Sequence, residues 1–243
     1  MSEPIAVHIF GGFWGMPSPS PFCVKLETWL RMAALEYRTV PASGPPRSSN
    51  GKLPYIERAD GTLLADSQVI ADTLTREHDI ALDASLSPAQ RATGLLTRRM
   101  LEEHLYWIIV AERWLDDGNW PVVARDYFAG LPWPLRLFVS TLARRGVRTA
   151  ARGQGVIRYP AAARTRLIQD DLDAIEHTLG ERAFLLGEPS SVDAAGFAFL
   201  ASAISAPFDS ELKRAVLARD PLVDYVERCR ARWWPELAPF PRA

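Results

Sequence analysis

The chain has 243 residues, enough for one large domain or two small ones, and 48% of them are hydrophobic, ample for a packed core. A formal charge of -1, from 28 basic and 29 acidic residues, excludes a global attraction to nucleic acid or to anionic membrane surfaces. Two cysteines, Cys23 and Cys229, lie far apart and in no metal-ligand spacing, which fits a reducing compartment and suggests neither a disulfide framework nor a metal site.

The first residues, Met1-Ser2-Glu3-Pro4, lack the basic flank and apolar core of a signal peptide. No apolar run approaches the ~20 residues needed to span a bilayer, so the expectation is a cytoplasmic protein with no membrane span. Residues 6–10 read as a first strand, ended by Gly11-Gly12, where the chain turns into a loop carrying Phe13 and Trp14. Ser20 and Pro21 suit an N-cap and a first helical position. The helix expected over 21–35 sets Phe22, Leu26, Trp29, Leu30 and Ala33 on one face. A short strand over 37–40 completes a βαβ unit with a parallel pair.

The Pro-, Ser- and Gly-rich segment 41–51 reads as a loop. Strands over 53–57 and 62–65 flank the turn signal Asp60-Gly61, and a helix over 67–77 closes the unit. A βαβ unit followed by ββα in about eighty residues is the pattern of a thioredoxin-like domain.

After a polar connector, Ser87-Pro88-Ala89-Gln90 has the form of a capping box. The helix it opens runs from 88 to about 115, roughly 42 Å at 1.5 Å per residue. Its all-apolar stretch 105–111 is expected to be buried on every side. A broken Pro- and Trp-rich pair over 121–151 follows, then a helix from 160 that ends at Gly180. Ser190-Ser191-Val192-Asp193 opens a nearly uncharged core helix to 206, and helices over 210–218 and 222–232 complete an all-helical remainder.

Between Asp126 and Asp170 there is no acidic residue, while Arg136, Arg144, Arg145, Arg148, Arg152, Arg158, Arg164 and Arg166 all fall there. No nucleic-acid module accompanies them, so the default is a set of solvated helix faces. The stretch can also draw an anionic second substrate or an acidic partner, and Arg158, near Gly153-Gln154-Gly155, is the arginine to test.

Candidate chemistry centres on Ser18-Pro19-Ser20-Pro21-Phe22-Cys23, because a helix N-terminus favours an anion or a thiolate. Taken alone, Ser20 is only an N-cap, Asp66 and Ser67 only cap their helix, and Pro54 only interrupts a strand edge. Their joint occurrence argues for a site. Ser18 competes with Ser20 for the same role, since the loop before it can curl either hydroxyl forward. Cys23, in the first turn, reads as a buried inert thiol and Cys229 as core. Phe13, Trp14, Phe22 and Trp107 are candidates for an apolar pocket, with Trp107, Ala111 and Trp114 sharing one helix face. His104 and His177 read as surface or satisfied helix residues rather than metal ligands.

This arrangement, with Leu53-Pro54, Asp66-Ser67 and the Ser190 to Asp193 cap, resembles the glutathione S-transferase superfamily over nearly the whole chain. The segments 20–28, 51–56 and 153–155 resemble its branch of failed-axon-connections proteins and metaxins. The resemblance implies a thioredoxin-like glutathione-binding domain over 1–79 and an all-helical domain over 87–243. It implies that Pro54 is cis and that the Leu53 backbone pairs with the cysteinyl part of glutathione as a strand would. It further assigns Ser67 to the γ-glutamyl carboxylate, Asp66 to the amino group, and Lys52, with Arg47, to the glycyl carboxylate.

Ser20 stands where related thioredoxin-like enzymes carry a nucleophilic cysteine, and a serine hydroxyl donates to the glutathione sulfur instead of forming a mixed disulfide. The implied function is conjugation of the glutathione thiolate to a small apolar electrophile, a detoxification chemistry, by a homodimer. A non-catalytic scaffold protein of the same fold, and a glutathione-dependent isomerase or reductive dehalogenase, are the competing expectations.

Overall fold

The structure, a computed structural model, describes residues 4–58 and 60–242. The start of the first expected domain and the segment read for a leader include residues 1–3, which lie outside the described residues, as do 59 and 243. Strand β1 (Ile5–Ile9), helix α1 (Pro21–Met32) and strand β2 (Tyr37–Pro41) form the βαβ unit, with Ile5 opposite Tyr37 in a parallel pair. Strands β3 (Tyr55–Glu57) and β4 (Leu63–Ala65) add antiparallel to give the order β2-β1-β3-β4, and α2 (Ser67–Glu77) closes the unit.

Helix α1 ends at Met32 rather than at 35. Ala34 adopts a left-handed conformation (φ 53°), and its amide and that of Leu35 donate back to the Arg31 and Leu30 carbonyls. Glycine usually fills this terminating position, so the stop was not legible in the residue type. Strand β3 starts at Tyr55 rather than at 53, which leaves Leu53 outside the ladder.

The helical part starts with α3 (Pro88–Met100), which continues through a π turn (Leu101–Leu105) into α4 (Tyr106–Val110) and a second π turn (Ala111–Leu115). The expected long helix is therefore present, but its wide turns re-phase the side chains. Leu105, Ile108, Ile109 and Val110 are buried, whereas Tyr106, Trp107 and Ala111 are half-buried. The stripe Trp107, Ala111, Trp114 accordingly splits: Trp107 packs on Tyr106, and Trp114 on Trp120, Tyr127 and Phe128.

Helices α5 (Trp120–Tyr127), α6 (Leu135–Gln154), α7 (Ala161–Leu179), α8 (Ser191–Ser205), α9 (Glu211–Leu217) and α10 (Asp220–Trp233) follow, with a 3-10 turn at Val156–Arg158. Helix α8 is buried from Val192 to Ile204 without a break. Its Asp193 carboxylate accepts the Ser190 amide and hydroxyl, the Leu185 amide and the Tyr225 hydroxyl, and burial pushes its carboxyl up.

The two cores interlock. Val24 of α1 belongs to the helical cluster, and Ala194 of α8 to the cluster under the sheet. At the far end of α1, the Trp234 indole donates to the Thr28 hydroxyl at 2.9 Å and the Arg31 guanidinium lies 3.5 Å from the Trp234 ring centre. Among the described residues no helix is long and apolar enough to cross a membrane.

Candidate active site

Register alone gathers the expected residues at one end of the sheet. His8 lies opposite Tyr55, and Tyr55 opposite Ala65. The residues that continue past these three are Phe10 and the loop leading to Ser20, then Pro54, then Asp66 and Ser67. Helix α1 begins at the same end because it must return to start the parallel strand β2.

The loop is built on close backbone approaches. A Cβ on Gly12 would lie 2.7 Å from the Met16 carbonyl oxygen and 2.9 Å from that of Pro17, so only glycine fits there. Trp14 takes a positive φ of 57° before Gly15, and its indole donates to Asp126 at 2.7 Å. Arg113, 4% exposed, reaches across from the helical domain and donates to the Pro19 carbonyl at 2.6 Å and to the Ser202 carbonyl. Its guanidinium also lies over the Trp14 ring, and it has no carboxylate partner among the described residues.

Ser18 and Ser20, equivalent in sequence terms, take different places. Ser18 is wholly buried and accepts the Ser20 amide at 3.3 Å, which makes it an internal brace of the loop rather than a group open to a solute. Ser20 occupies the N-cap position, but its side chain makes no capping bond; its carbonyl accepts the Cys23 and Val24 amides instead. With proline at the first helical position, the Phe22 amide and the half-buried Ser20 hydroxyl remain as donors at this helix end. Cys23 is buried beneath them, and burial pushes its thiol up to about 11 against the pull of the Phe10 backbone and the Ser20 and Ser18 hydroxyls. It is not a thiolate at neutral pH.

The Leu53–Pro54 peptide is cis, as the resemblance implies. Asp66 has a φ of 78°, and its carboxylate accepts the Gln68 and Val69 amides at 2.9 and 3.1 Å, so it caps α2 itself. A non-glycine residue in this region costs about 1–3 kcal/mol, which the two caps offset. Ser67, 4% exposed, sits in the first turn of that helix. Lys52 and Arg47 are exposed without carboxylate partners among the described residues, and Ser48 closes their loop by accepting the Lys52 amide and donating to its carbonyl.

A charged network that composition did not reveal fixes the start of α2. Lys25, 2% exposed, pairs with Glu102 and donates to the Gln68 side chain at 2.9 Å, and Arg98 meets the other Glu102 oxygen at 3.3 Å. Burial holds the Lys25 ammonium below its usual range, with Glu102 pulling it back up.

Phe13 and Trp14 pack edge-to-face with each other and with Tyr127, and Trp14 also meets Phe208. Phe22 packs on Tyr106 and Phe199, and Trp107 joins through Tyr106. Tyr106, Tyr127, Phe208 and Arg113 are thus packing neighbours of the expected pocket residues that sequence reasoning missed, because helical spacing reports a buried face but not which neighbour it meets. A separate cavity of about 570 Å³ in the helical domain is lined by Arg148, Arg152, Arg164 and Arg214 and by as many carboxylates, and includes none of the proposed glutathione residues; Arg158 is exposed and does not line it.

The N-terminal ends of α1 and α2, the Leu53 backbone outside the ladder and the exposed cations of the 47–52 loop thus lie at one end of the sheet. Helix-end donors and cations of this kind suit an anionic ligand.

Comparison with known proteins identifies the family. The glutathione S-transferase N-terminal domain model matches residues 21–119 and the C-terminal domain model residues 168–229. The chain is 32% identical to an isoprene-epoxide–glutathione S-transferase of Rhodococcus sp. (strain AD45), over 94% of this chain and 99% of that one. It is 31% identical to Failed axon connections of Drosophila melanogaster, over 91% and 56%, and 27% identical to Metaxin-1 of Mus musculus, over 86% and 68%. A glutathione transferase from Phanerochaete chrysosporium has the same fold, with a TM-score of 0.61 at 18% identity and coverage of 95% and 97%. The chain belongs to the glutathione S-transferase family.

Proposed function

We propose that the protein is a glutathione transferase that joins the glutathione sulfur to a small apolar electrophile. The observation that carries this reading is the Ser20 hydroxyl, free of capping duty at the α1 N-terminus while Ser18 is buried. Glutathione supplies the thiol. Ser20 and the Phe22 amide donate to the sulfur, and the Leu53 backbone, Ser67 and Asp66 hold the peptide so that the sulfur stays there. The buried Arg113 cation adds positive potential beside Pro19. A free thiol has a pKa near ~8.5, and each unit by which these groups lower it corresponds to about 1.36 kcal/mol.

The attack forms a carbon–sulfur bond as the bond to the leaving oxygen or halide breaks. The relative named for isoprene epoxide favours a strained ring as the electrophile, where opening leaves an alkoxide that must be protonated. Burial pushes the Tyr106 hydroxyl up to about 12, so it stays protonated beside Phe22 and is suited to donate to that oxygen. An isomerase or dehalogenase would use the same site. A cytoplasmic homodimer is part of the reading, with exposed Val69 of α2 and Leu95 and Leu96 of α3 as its apolar contacts.

The test is ultraviolet difference absorbance of the thiolate on titrating glutathione, for the parent, Ser20→Ala and Ser18→Ala across a pH series. Thiolate formation near neutral pH that only Ser20→Ala abolishes supports the reading. Absence of saturable glutathione binding sinks it and turns attention to the scaffold role that the Failed axon connections and metaxin relatives would suggest.

A further inference from the structure

Half of the large apolar side chains that the described residues expose fall within ten positions: Trp133 (76%), Leu135 (47%), Leu137 (62%), Phe138 (69%) and Leu142 (60%). On α6, Leu135, Phe138 and Leu142 follow the i, i+3, i+7 spacing of one stripe, and this stripe points away from the protein. The opposite face holds the helix in place. Ser140 and Ala151 are buried, and Arg144 donates to the Trp114 and Leu115 carbonyls and pairs with Asp117 at 2.8 Å. The stripe is therefore the outer side of a firmly docked helix.

Further along the helix stand Arg145, Arg148 and Arg152, all exposed and without a hydrogen-bonded or ion-paired carboxylate among the described residues; Arg145 continues the stripe, and Arg148 and Arg152 border the cavity of the helical domain, which Glu112, Asp116, Asp209 and Glu211 also line. They fall in the sequence stretch 127–169, which contains no acidic residue. An aromatic and aliphatic tip followed by a basic shelf on one helix face is the composition of a segment that lies in a lipid interface: the apolar side chains enter the acyl boundary and the guanidinium groups meet headgroup phosphates.

We propose that the outer face of α6, from Trp133 to Arg152, docks the protein reversibly on an anionic lipid bilayer. Charge decides between this occupant and a second copy of the chain. A two-fold pairing through Phe138 sets the basic side chains that α6 itself carries, with no acidic residue among them, against their own copies, whereas a bilayer carrying anionic lipid offers them the opposite charge. The neutral overall charge does not oppose this, because salt screens interactions beyond ~10 Å and the local patch governs contact. The patch shares no residue with the proposed glutathione site, so the proposal stands apart from the transferase reading.

The experiment is flotation of the full chain with vesicles of phosphatidylcholine, alone or mixed with phosphatidylglycerol, at low and at high salt. The expected result is co-flotation with the mixed vesicles only, weakened by salt. Reversing two charges, Arg145→Glu with Arg152→Glu, should lower the partition coefficient by about 30-fold or more. Phe138→Ser with Leu142→Ser should lower it by about tenfold or more. All four side chains are solvent-exposed, and unchanged thermal melting and glutathione binding would certify folding. No flotation with mixed vesicles, or flotation that neither variant alters, overturns the proposal. So does concentration-dependent self-association that Phe138→Ser dissolves in a chain that ignores vesicles; that outcome would assign the patch to a second copy.

Discussion

Arg113 donates to the Pro19 carbonyl at 2.6 Å, so a side chain of the helical domain sets the position of the residue that precedes Ser20. The same guanidinium donates to the Ser202 carbonyl of α8. A buried cation held by two carbonyls, the Tyr127 hydroxyl and an aromatic ring, with no carboxylate partner among the described residues, keeps its charge uncancelled, and the nearest use for that charge is a sulfur anion at the α1 N-terminus.

Arg113→Met should therefore do two separable things. It leaves two carbonyls without a donor in a buried place, at about 2–4 kcal/mol of stability. It should also raise the thiol pKa of bound glutathione by about one unit. Arg113→Lys keeps the charge but cannot fork to both carbonyls, so its stability should fall while the thiol pKa changes less. Denaturant unfolding and the pH dependence of thiolate absorbance read the two effects independently; equal thiol pKa values in all three proteins would rule out the electrostatic role.

Gly12→Ala is expected to act through the same loop without touching charge. Its Cβ would meet backbone oxygens at 2.7 and 2.9 Å, and backbone cannot rotate aside as a side chain can. The 12–17 turn must open, which displaces Pro19 from Arg113 and lowers glutathione affinity by about tenfold or more, while the packed helical core keeps most of the stability. Isothermal titration with glutathione tests this; an unchanged affinity would mean that the loop does not shape the site.

The contrast between these residues explains what was legible in the sequence. Residue type and spacing report local rules, so the helix from Ser67 to Glu77, the Ser87 capping box and the uncharged α8 were read with nearly the observed bounds. The expected thioredoxin-like unit followed for the same reason. Arg113, Lys25 and Glu102 look like ordinary helix-surface charges in the sequence, because what makes them unusual is a partner 94 or 77 positions away. The roles of Ser18 and Ser20 diverged for a similar reason: both have capping chemistry, and only the fold of the loop decides which hydroxyl is buried. The π turns that split the tryptophan stripe of α4 leave no signature in apolar spacing.

The Lys25–Glu102 pair lies at 2% and 7% exposure between the domains and supports Gln68 at the start of α2. Breaking it by Glu102→Gln leaves an ammonium buried without its counter-charge, and should cost about 3–5 kcal/mol and weaken γ-glutamyl binding through Gln68 and Ser67. Removing both charges, Lys25→Met with Glu102→Leu, should recover most of the stability, since the desolvation cost disappears with the pair. Recovery of stability without recovery of glutathione affinity would locate the function of the pair in orienting Gln68. A double variant as unstable as Glu102→Gln would instead assign the loss to packing.

Glu27 carries the clearest pH signature. It is 2% exposed on α1, its Oε1 has no partner among the described residues, and burial pushes its carboxyl up to about 7, against the pull of Arg31 and a hydrogen bond from Tyr37, with Glu236 adding to the rise. Folding therefore favours the protonated acid. The associated stability is fully present below the unfolded carboxyl range, near ~4.3, and is lost as pH rises through about 7, a swing of about 3 kcal/mol. Glu27→Gln is neutral at every pH and keeps the shape, so it should be more stable than the parent at pH ~8 by up to that amount, with the gain gone near pH ~4. Asp193 and Glu112 are also pushed up by burial and add a slope of the same sign, but they are present in both proteins and cancel in the difference. Urea unfolding of both chains across this range gives the difference directly, and a stability gap that does not change with pH would show that the Glu27 carboxyl titrates alike in the folded and unfolded chains.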